Sequence, residues 1–182
     1  MRTRKSFFVN VSPLKSPTKT FFSLQYVIGK FRIEKRKRIY PVRMTEAHIP
    51  EVAALEKLCF SAPWSAQSLE LLTREGIGMG VVYLQDGKVV AYGGMLCVVD
   101  QGQITNIAVH PDYRRQGIGR AIVGALLKHA MDERFEEVTL EVRKSNQPAQ
   151  AMYSSMGFRA IATRPGFYSK PTEDGVIMTA YL

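Results

Sequence analysis

Residues 106–120 read Asn106-Ile107-Ala108-Val109-His110-Pro111-Asp112-Tyr113-Arg114-Arg115-Gln116-Gly117-Ile118-Gly119-Arg120. An apolar run enters a turn rich in glycine and arginine. Apolar residues then recur at helical spacing: Ile122, Val123, Leu126, Leu127 and Ala130. That pattern predicts a strand, a sharp turn and a helix. Gly117 and Gly119 let the backbone approach a ligand closely and supply positive φ. Consecutive N–H groups at a helix start point outward and attract anions. Arg114, Arg115 and Arg120 add charge and forked donors suited to phosphate oxygens. The stretch therefore predicts a pyrophosphate cradle, gripped by the main-chain amides of residues 115–120.

Two other phosphate loops do not fit. The chain has no Gly-x-x-x-x-Gly-Lys-Ser/Thr run, which a nucleotide P-loop requires. A dinucleotide fold needs Gly-x-Gly-x-x-Gly, and Ile122 stands where the third glycine belongs.

Working outward, strands are expected over 39–43, 79–85, 88–100, 103–110, 137–143, 158–163 and 176–181. Helices are expected over 45–60, 65–74, 117–134 and 148–156. Thr45 and Ser65 can cap the first two helices, and Ser145 or Asn146 the last. Ile49, Val52, Ala53, Leu55, Glu56 and Leu58 give the first helix a mostly apolar face, and Leu69, Leu71 and Leu72 point inward from the second. Asp86-Gly87 signals a hairpin. Gly93-Gly94 loosens the strand that contains it. Residues 164–175 read as an irregular loop. The element order β-α-α-β-β-β-α-β-α-β-β is that of a mixed α/β domain.

Charge divides the chain. Of 25 Lys/Arg and 16 Asp/Glu in 182 residues, residues 1–38 hold eleven basic residues and only Glu34 as an acid. Residues 39–182 keep 14 basic and 15 acidic residues and are nearly neutral. The high net charge thus belongs to residues 1–38, expected to be a disordered basic extension, and not to the domain at 39–182. An organelle transit peptide and an RNA-contacting arm are the alternatives for the extension. Cys59 and Cys97 have no C-x-x-C or Cys/His context, so reduced core cysteines and no metal are expected. No run approaches the ~18 apolar residues of a membrane span.

Arg114-x-x-Gly117-x-Gly119 resembles the pyrophosphate signature of the GNAT superfamily of acyl-CoA N-acyltransferases. Ile107-Ala108-Val109-His110-Pro111 before it resembles that family's fourth strand. Ala151-Met152-Tyr153-Ser154-Ser155-Met156-Gly157-Phe158 after it is similar to the helix carrying the family's late tyrosine. Cys59-Phe60-Ser61-Ala62-Pro63-Trp64-Ser65 and Leu140-Glu141-Val142-Arg143-Lys144-Ser145-Asn146 narrow the resemblance to ribosomal-protein-alanine N-acetyltransferases, the RimI type. It covers residues 39–182. The resemblance implies a mixed central sheet splayed between strands 4 and 5. Acetyl-CoA would be the cosubstrate and a ribosomal protein's N-terminal alanine the acceptor. It also implies direct transfer in a ternary complex, in the cytoplasm, by a monomer needing neither nucleic acid nor membrane.

Site residues follow from the same resemblance. Glu141 aligns with the general base. In the strand pattern it faces opposite Val138, Leu140 and Val142, and a surface glutamate paired with Arg143 or Arg120 is the alternative reading. Its task would be modest, because an α-amine titrates at ~7.7–8.0 against ~10.4 for lysine. Tyr153 aligns with the general acid, with a plain core tyrosine as the alternative. Coenzyme contacts are implied for Ile107, Ala108, Val109, Arg114, Arg115, Gln116, Gly117, Ile118, Gly119, Arg120 and Asn146. A free N–H near Val109 is expected to serve as oxyanion donor, and Asn146 can equally be a helix cap. Trp64 is expected to floor the acceptor groove, or else to be structural, and Tyr168 to hold the acceptor from the late loop. His110 reads as a solvent-facing turn residue. Two rivals remain open: an acetyltransferase for a small amine or internal lysine, and a non-catalytic acyl-CoA- or ribosome-binding module.

Overall fold

The structure, a computed structural model, describes residues 39–182, so the expectation for residues 1–38 lies outside the described residues. One seven-stranded sheet has the order β1-β2-β3-β4-β5-β7-β6. Its strands are β1 (Tyr40–Arg43), β2 (Gly78–Gln85), β3 (Lys88–Val98), β4 (Gln101–Val109), β5 (Glu137–Arg143), β6 (Arg159–Tyr168) and β7 (Glu173–Tyr181). Four helices accompany them: α1 (Ile49–Cys59), α2 (Ala66–Glu70), α3 (Ile118–Asp132) and α4 (Gln147–Ser154). All neighbouring strands run antiparallel except β4 and β5. The predicted mixed α/β order holds throughout.

Alternation along the strands builds two cores. Val81, Tyr83 and Ala91 pack with Ile122 and Leu126 of α3 and Tyr153 of α4. Their neighbours Val82, Leu84 and Tyr92 pack with Val52 and Leu55 of α1 and Leu69 of α2. Successive strand residues face opposite sides, so α1 and α2 cover one face while α3 and α4 cover the other. The hairpin at Asp86-Gly87 forms with φ of 51° and 78°, the pair of positive values that a two-residue turn between twisted strands demands.

Two expectations need correction and one is extended. The register of β3 with β4 shifts between Gly94 and Met95, so the strand is irregular beside the glycine pair as expected, but the pair also has a packing role. A Cβ on Gly93 would lie 2.2 Å from Ile122 Cγ2, and one on Gly94 2.3 Å from Leu72 Cδ1. The two glycines let helices on both faces press against the sheet. Residues 164–175 are not an irregular loop but the ends of β6 and β7 and the turn between them, with register irregularities between Arg164 and Tyr168. Pro165 and Gly166 lie on the outermost strand, inside the stretch that breaks register with β7, the edge and bulge setting in which a strand tolerates proline. Leu58 is exposed on the last turn of α1, whereas Glu56, read on the same face, is buried.

Candidate active site

The parallel pairing of β4 with β5 covers only Gln101↔Glu137 through Ile104↔Leu140. Beyond those four rungs the strands separate, and a cavity of about 630 Å³ opens between them. Ile107 and Val109 keep their antiparallel register with β3, opposite Gly93 and Ala91. The His110 N–H donates to the Val90 carbonyl at 2.9 Å. Backbone groups alternate in direction along such a pair, so the N–H groups of Val109 and Ile107 face the open side, away from β3.

The cavity gathers Glu141, Tyr153, Asn146, Ile107, Trp64 and Tyr168. Ala108 is buried on the α1 face instead. Val109 and the turn 114–120 lie outside the cavity lining. Glu141 sits on the middle of β5, opposite Ile177 of β7. It pairs with neither Arg143 nor Arg120: Arg164 Nη1 lies 3.5 Å from its Oε1. Arg143 binds Glu173 at 3.1 Å and stacks over the Tyr168 ring at 4.4 Å. Arg120 donates to Ser155 Oγ at 2.7 Å.

Tyr153 is buried on α4 with its ring 5.8 Å from that of Phe158. Burial, and after it the nearby Tyr168 phenol, pushes its hydroxyl up to about 12. Burial first and the Glu141 charge second also raise Tyr168 to about 12, against a lowering pull from Arg143. Both phenols therefore keep their protons at neutral pH. The Asn146 Oδ1 accepts from the Ala149 N–H at 3.3 Å, so this side chain caps α4. The Ser145 N–H donates to Glu173 at 2.5 Å; the serine's side-chain contact first and this bond second lower the Glu173 carboxyl below its usual range.

In the turn before α3, Arg115 and Gly117 have φ of 62° and 80°. The first helical hydrogen bond is Ala121 N–H to the Gly117 carbonyl at 3.0 Å. The N–H groups of residues 115–120 have no acceptor among the described residues, as a helix start leaves them. A Cβ at Gly117 would meet nothing within 4 Å, and one at Gly119 only atoms at 4.0 Å. Arg114 folds back, its Nε donating to the Val109 carbonyl at 3.1 Å. His110 accepts from the Asp112 N–H at 3.3 Å as a local cap.

The sequence reading put Glu56 on the inward face of the first helix but did not foresee its partners. Glu56, at 0% exposure, accepts from the Trp64 N–H at 2.7 Å, from Asn106 Nδ2 at 2.9 Å and from the Tyr92 hydroxyl. Burial and the Glu56 charge hold the Tyr92 phenol far above its ordinary range. The signal was available: Glu56 shares the inward stripe of Val52 and Leu55, where an acid demands partners.

Among the described residues, no group of three or more His, Cys, Asp and Glu is arranged to hold a metal, and Cys59 and Cys97 are free and half-buried. No helix among them is long and apolar enough to cross a membrane.

The sheet thus parts between its fourth and fifth strands, and the turn before α3 presents an anion-ready helix start. Residues 49–158 match the model of the Acetyltransferase (GNAT) family, and the chain belongs to that family. It is 35% identical over 127 residues to the [ribosomal protein bS18]-alanine N-acetyltransferase of Escherichia coli (strain K12), a span of 70% of this chain and 84% of that one. The crystal structure of the ribosomal-protein-S18-alanine N-acetyltransferase from Escherichia coli superposes with a TM-score of 0.73 at 30% identity, over 79% of this chain and 94% of that one. A GNAT family acetyltransferase from Elizabethkingia anophelis with acetyl-CoA bound matches with a TM-score of 0.66 at 19% identity, over 79% and 98% of the two chains, a likeness of fold.

Proposed function

We propose that this protein transfers the acetyl group of acetyl-CoA to the α-amine of a ribosomal protein that begins with alanine. The observation that carries this reading is the convergence of Glu141 and Tyr153 on one cavity, opened where β4 and β5 part. The relatives' acceptor, bS18 alanine, is the closest guide to the acceptor here. Residues 39–182 would form the catalytic domain, acting in the cytoplasm as a monomer without nucleic acid, and residues 1–38 an extension to it.

The residues present fit the coenzyme. Six N–H groups without acceptors and two glycines with open space suit a diphosphate, and helix starts favour anions. Arg115 and Arg120 stand on the same turn, while Arg114 must leave the Val109 carbonyl to join them. The outward N–H and C=O groups of Ile107, and the Val109 carbonyl once Arg114 leaves it, suit the amides of the pantetheine arm. Asn146, bound to its cap, can add a contact through its free amide nitrogen.

When bound, acetyl-CoA supplies the acetyl group as a thioester. Glu141 accepts a proton from the α-ammonium, directly or through a water, which frees the nitrogen lone pair for attack. The Val109 N–H donates to the carbonyl oxygen as negative charge develops there. Tyr153 gives its proton to the sulfur as the C–S bond breaks, its hydroxyl being raised by burial, and the second nitrogen proton, lost as the amide forms, restores the phenol. Trp64 and Tyr168 wall the acceptor's entry.

Mass spectrometry of candidate acceptors with acetyl-CoA tests this. Peptides starting with alanine should gain one acetyl group at the α-nitrogen. Exclusive modification of an internal lysine or of polyamines would replace the reading with the small-amine or lysine alternative, and binding without turnover would replace it with the non-catalytic one.

A further inference from the structure

Four elements meet at the Glu56 carboxyl. The carboxyl belongs to α1, and its donors come from the loop after α1 (Trp64), from β3 (Tyr92) and from β4 (Asn106). A carboxyl wholly inside a protein is tolerated only when donors meet its oxygens, and here three do. Two of the three donor residues, Trp64 and Asn106, also line the cavity that holds Glu141 and Tyr153. The interior network therefore reaches the reaction chamber through its own members.

Asn106 has only one orientation that fits. The Glu56 oxygen accepts, so it must face the Asn106 amide nitrogen, and the Asn106 Oδ1 becomes the outer arm. No group among the described residues donates to that oxygen. No buried side-chain oxygen or nitrogen lacks a partner, so Oδ1 is not sealed inside. Asn106 is half-buried and its open side is the cavity.

We propose that Asn106 Oδ1 binds the first peptide N–H of the acceptor chain, and that Glu56 is the positioning residue that aims it. This assignment rests on the cavity being the acceptor site, as argued above. It supplies a reason for preferring a polypeptide end over a simple amine, which has no peptide N–H to offer. Glu56 acts at a distance: it fixes the Asn106 amide and, through the Trp64 backbone, the wall beside it.

The test compares two acceptors, an alanine-initiated peptide and the same peptide with its first amide replaced by an ester, which removes that one N–H. Wild-type protein should show a KM about tenfold higher for the ester, the value of one hydrogen bond of ordinary strength, with the acetyl-CoA KM unchanged. Asn106→Ala should raise the KM for the amide peptide to that of the ester and abolish the difference between them. Glu56→Gln, which turns an amide group toward one of the donors, should lower Tm and shrink the difference. If that variant does not fold, Asn106→Ala decides alone. Equal KM values for both acceptors in wild-type protein, or a difference that survives Asn106→Ala, would overturn the assignment while leaving the proposed function standing. No acetylation of either acceptor by wild-type protein would remove both.

Discussion

Glu141 Oε1 lies 3.5 Å from the guanidinium of Arg164, although the whole of β7 separates their strands in the sheet. Glu141 is 13% exposed and Arg164 59%. The arginine lies on the outer side and also stacks over the Phe167 ring at 4.8 Å. An acceptor ammonium approaching Glu141 competes with Arg164 for the same oxygen. Exposed ion pairs contribute about 0–1 kcal/mol. Arg164→Ala should therefore lower the acceptor KM by up to about fivefold, with the acetyl-CoA KM unchanged. Steady-state kinetics decide this, and a raised acceptor KM would show that Arg164 assists binding instead.

Removing the carboxylate itself has a larger consequence. A positioned base contributes about 10²–10⁴ in rate. Glu141→Gln should lose kcat in that range while calorimetric titration returns the wild-type affinity for coenzyme A. Turnover within about twofold of wild type would take Glu141 out of the proton-accepting role.

The tyrosines set an alkaline limit. Tyr153 and Tyr168 are each raised to about 12 from 10.0, and Tyr92 is raised in the same direction. The unfolded chain gives up these protons first. The contribution of Tyr153 and Tyr168 to stability is therefore fully present below about pH 10 and is lost as pH rises through about 12. Circular dichroism and tyrosinate absorbance should change together in that window. Tyr153→Phe should lower kcat by about a hundredfold and make the alkaline transition shallower. A basic limb of kcat near pH 10 that disappears in Tyr153→Phe would contradict a phenol held up by burial.

Gly117 stands at φ 80° with space around its missing side chain. Gly117→Val faces two penalties. A β-branched residue in the left-handed region is strained by roughly 1–2 kcal/mol, and its side chain fills the ground in front of the free amides. Tm should fall by a few degrees, and the affinity for coenzyme A should fall by more than about tenfold. Tight coenzyme binding by a folded Gly117→Val would move the diphosphate elsewhere.

Sequence reading went furthest where one local rule settles the conformation. The Asp86-Gly87 hairpin, the Ser65 cap, the Gly117 turn and the alternation of β5 each rest on a few adjacent residues, and each formed as expected. What stayed hidden depends on residues far apart in the chain. Pro165 and Gly166 look like breakers unless β6 is known to be the outermost strand. Gly93 and Gly94 read as a weak point, and the register does shift beside them, but the close approach of Ile122 and Leu72 from opposite faces was not legible. The partner of Glu141 lies 23 positions away on another strand, and Glu56 draws its donors from as far as Asn106. The list of cavity residues was legible mainly through family resemblance. Their hydrogen-bond partners were not, because spacing carries no information about which side chain crosses a gap.

A β-sheet normally bares its hydrogen-bonding rims only at its flanks, where another molecule's strand can latch on and start an aggregate. Here two such rims, those of β4 beyond Ile104 and of β5 beyond Leu140, are withdrawn to the middle of the molecule. A folded neighbour is too broad to enter, while a slender linear molecule can thread between them and be read rung by rung, as strands read one another. By parting internally, the sheet turns a hazard of sticky borders into a sieve for narrow, extended guests.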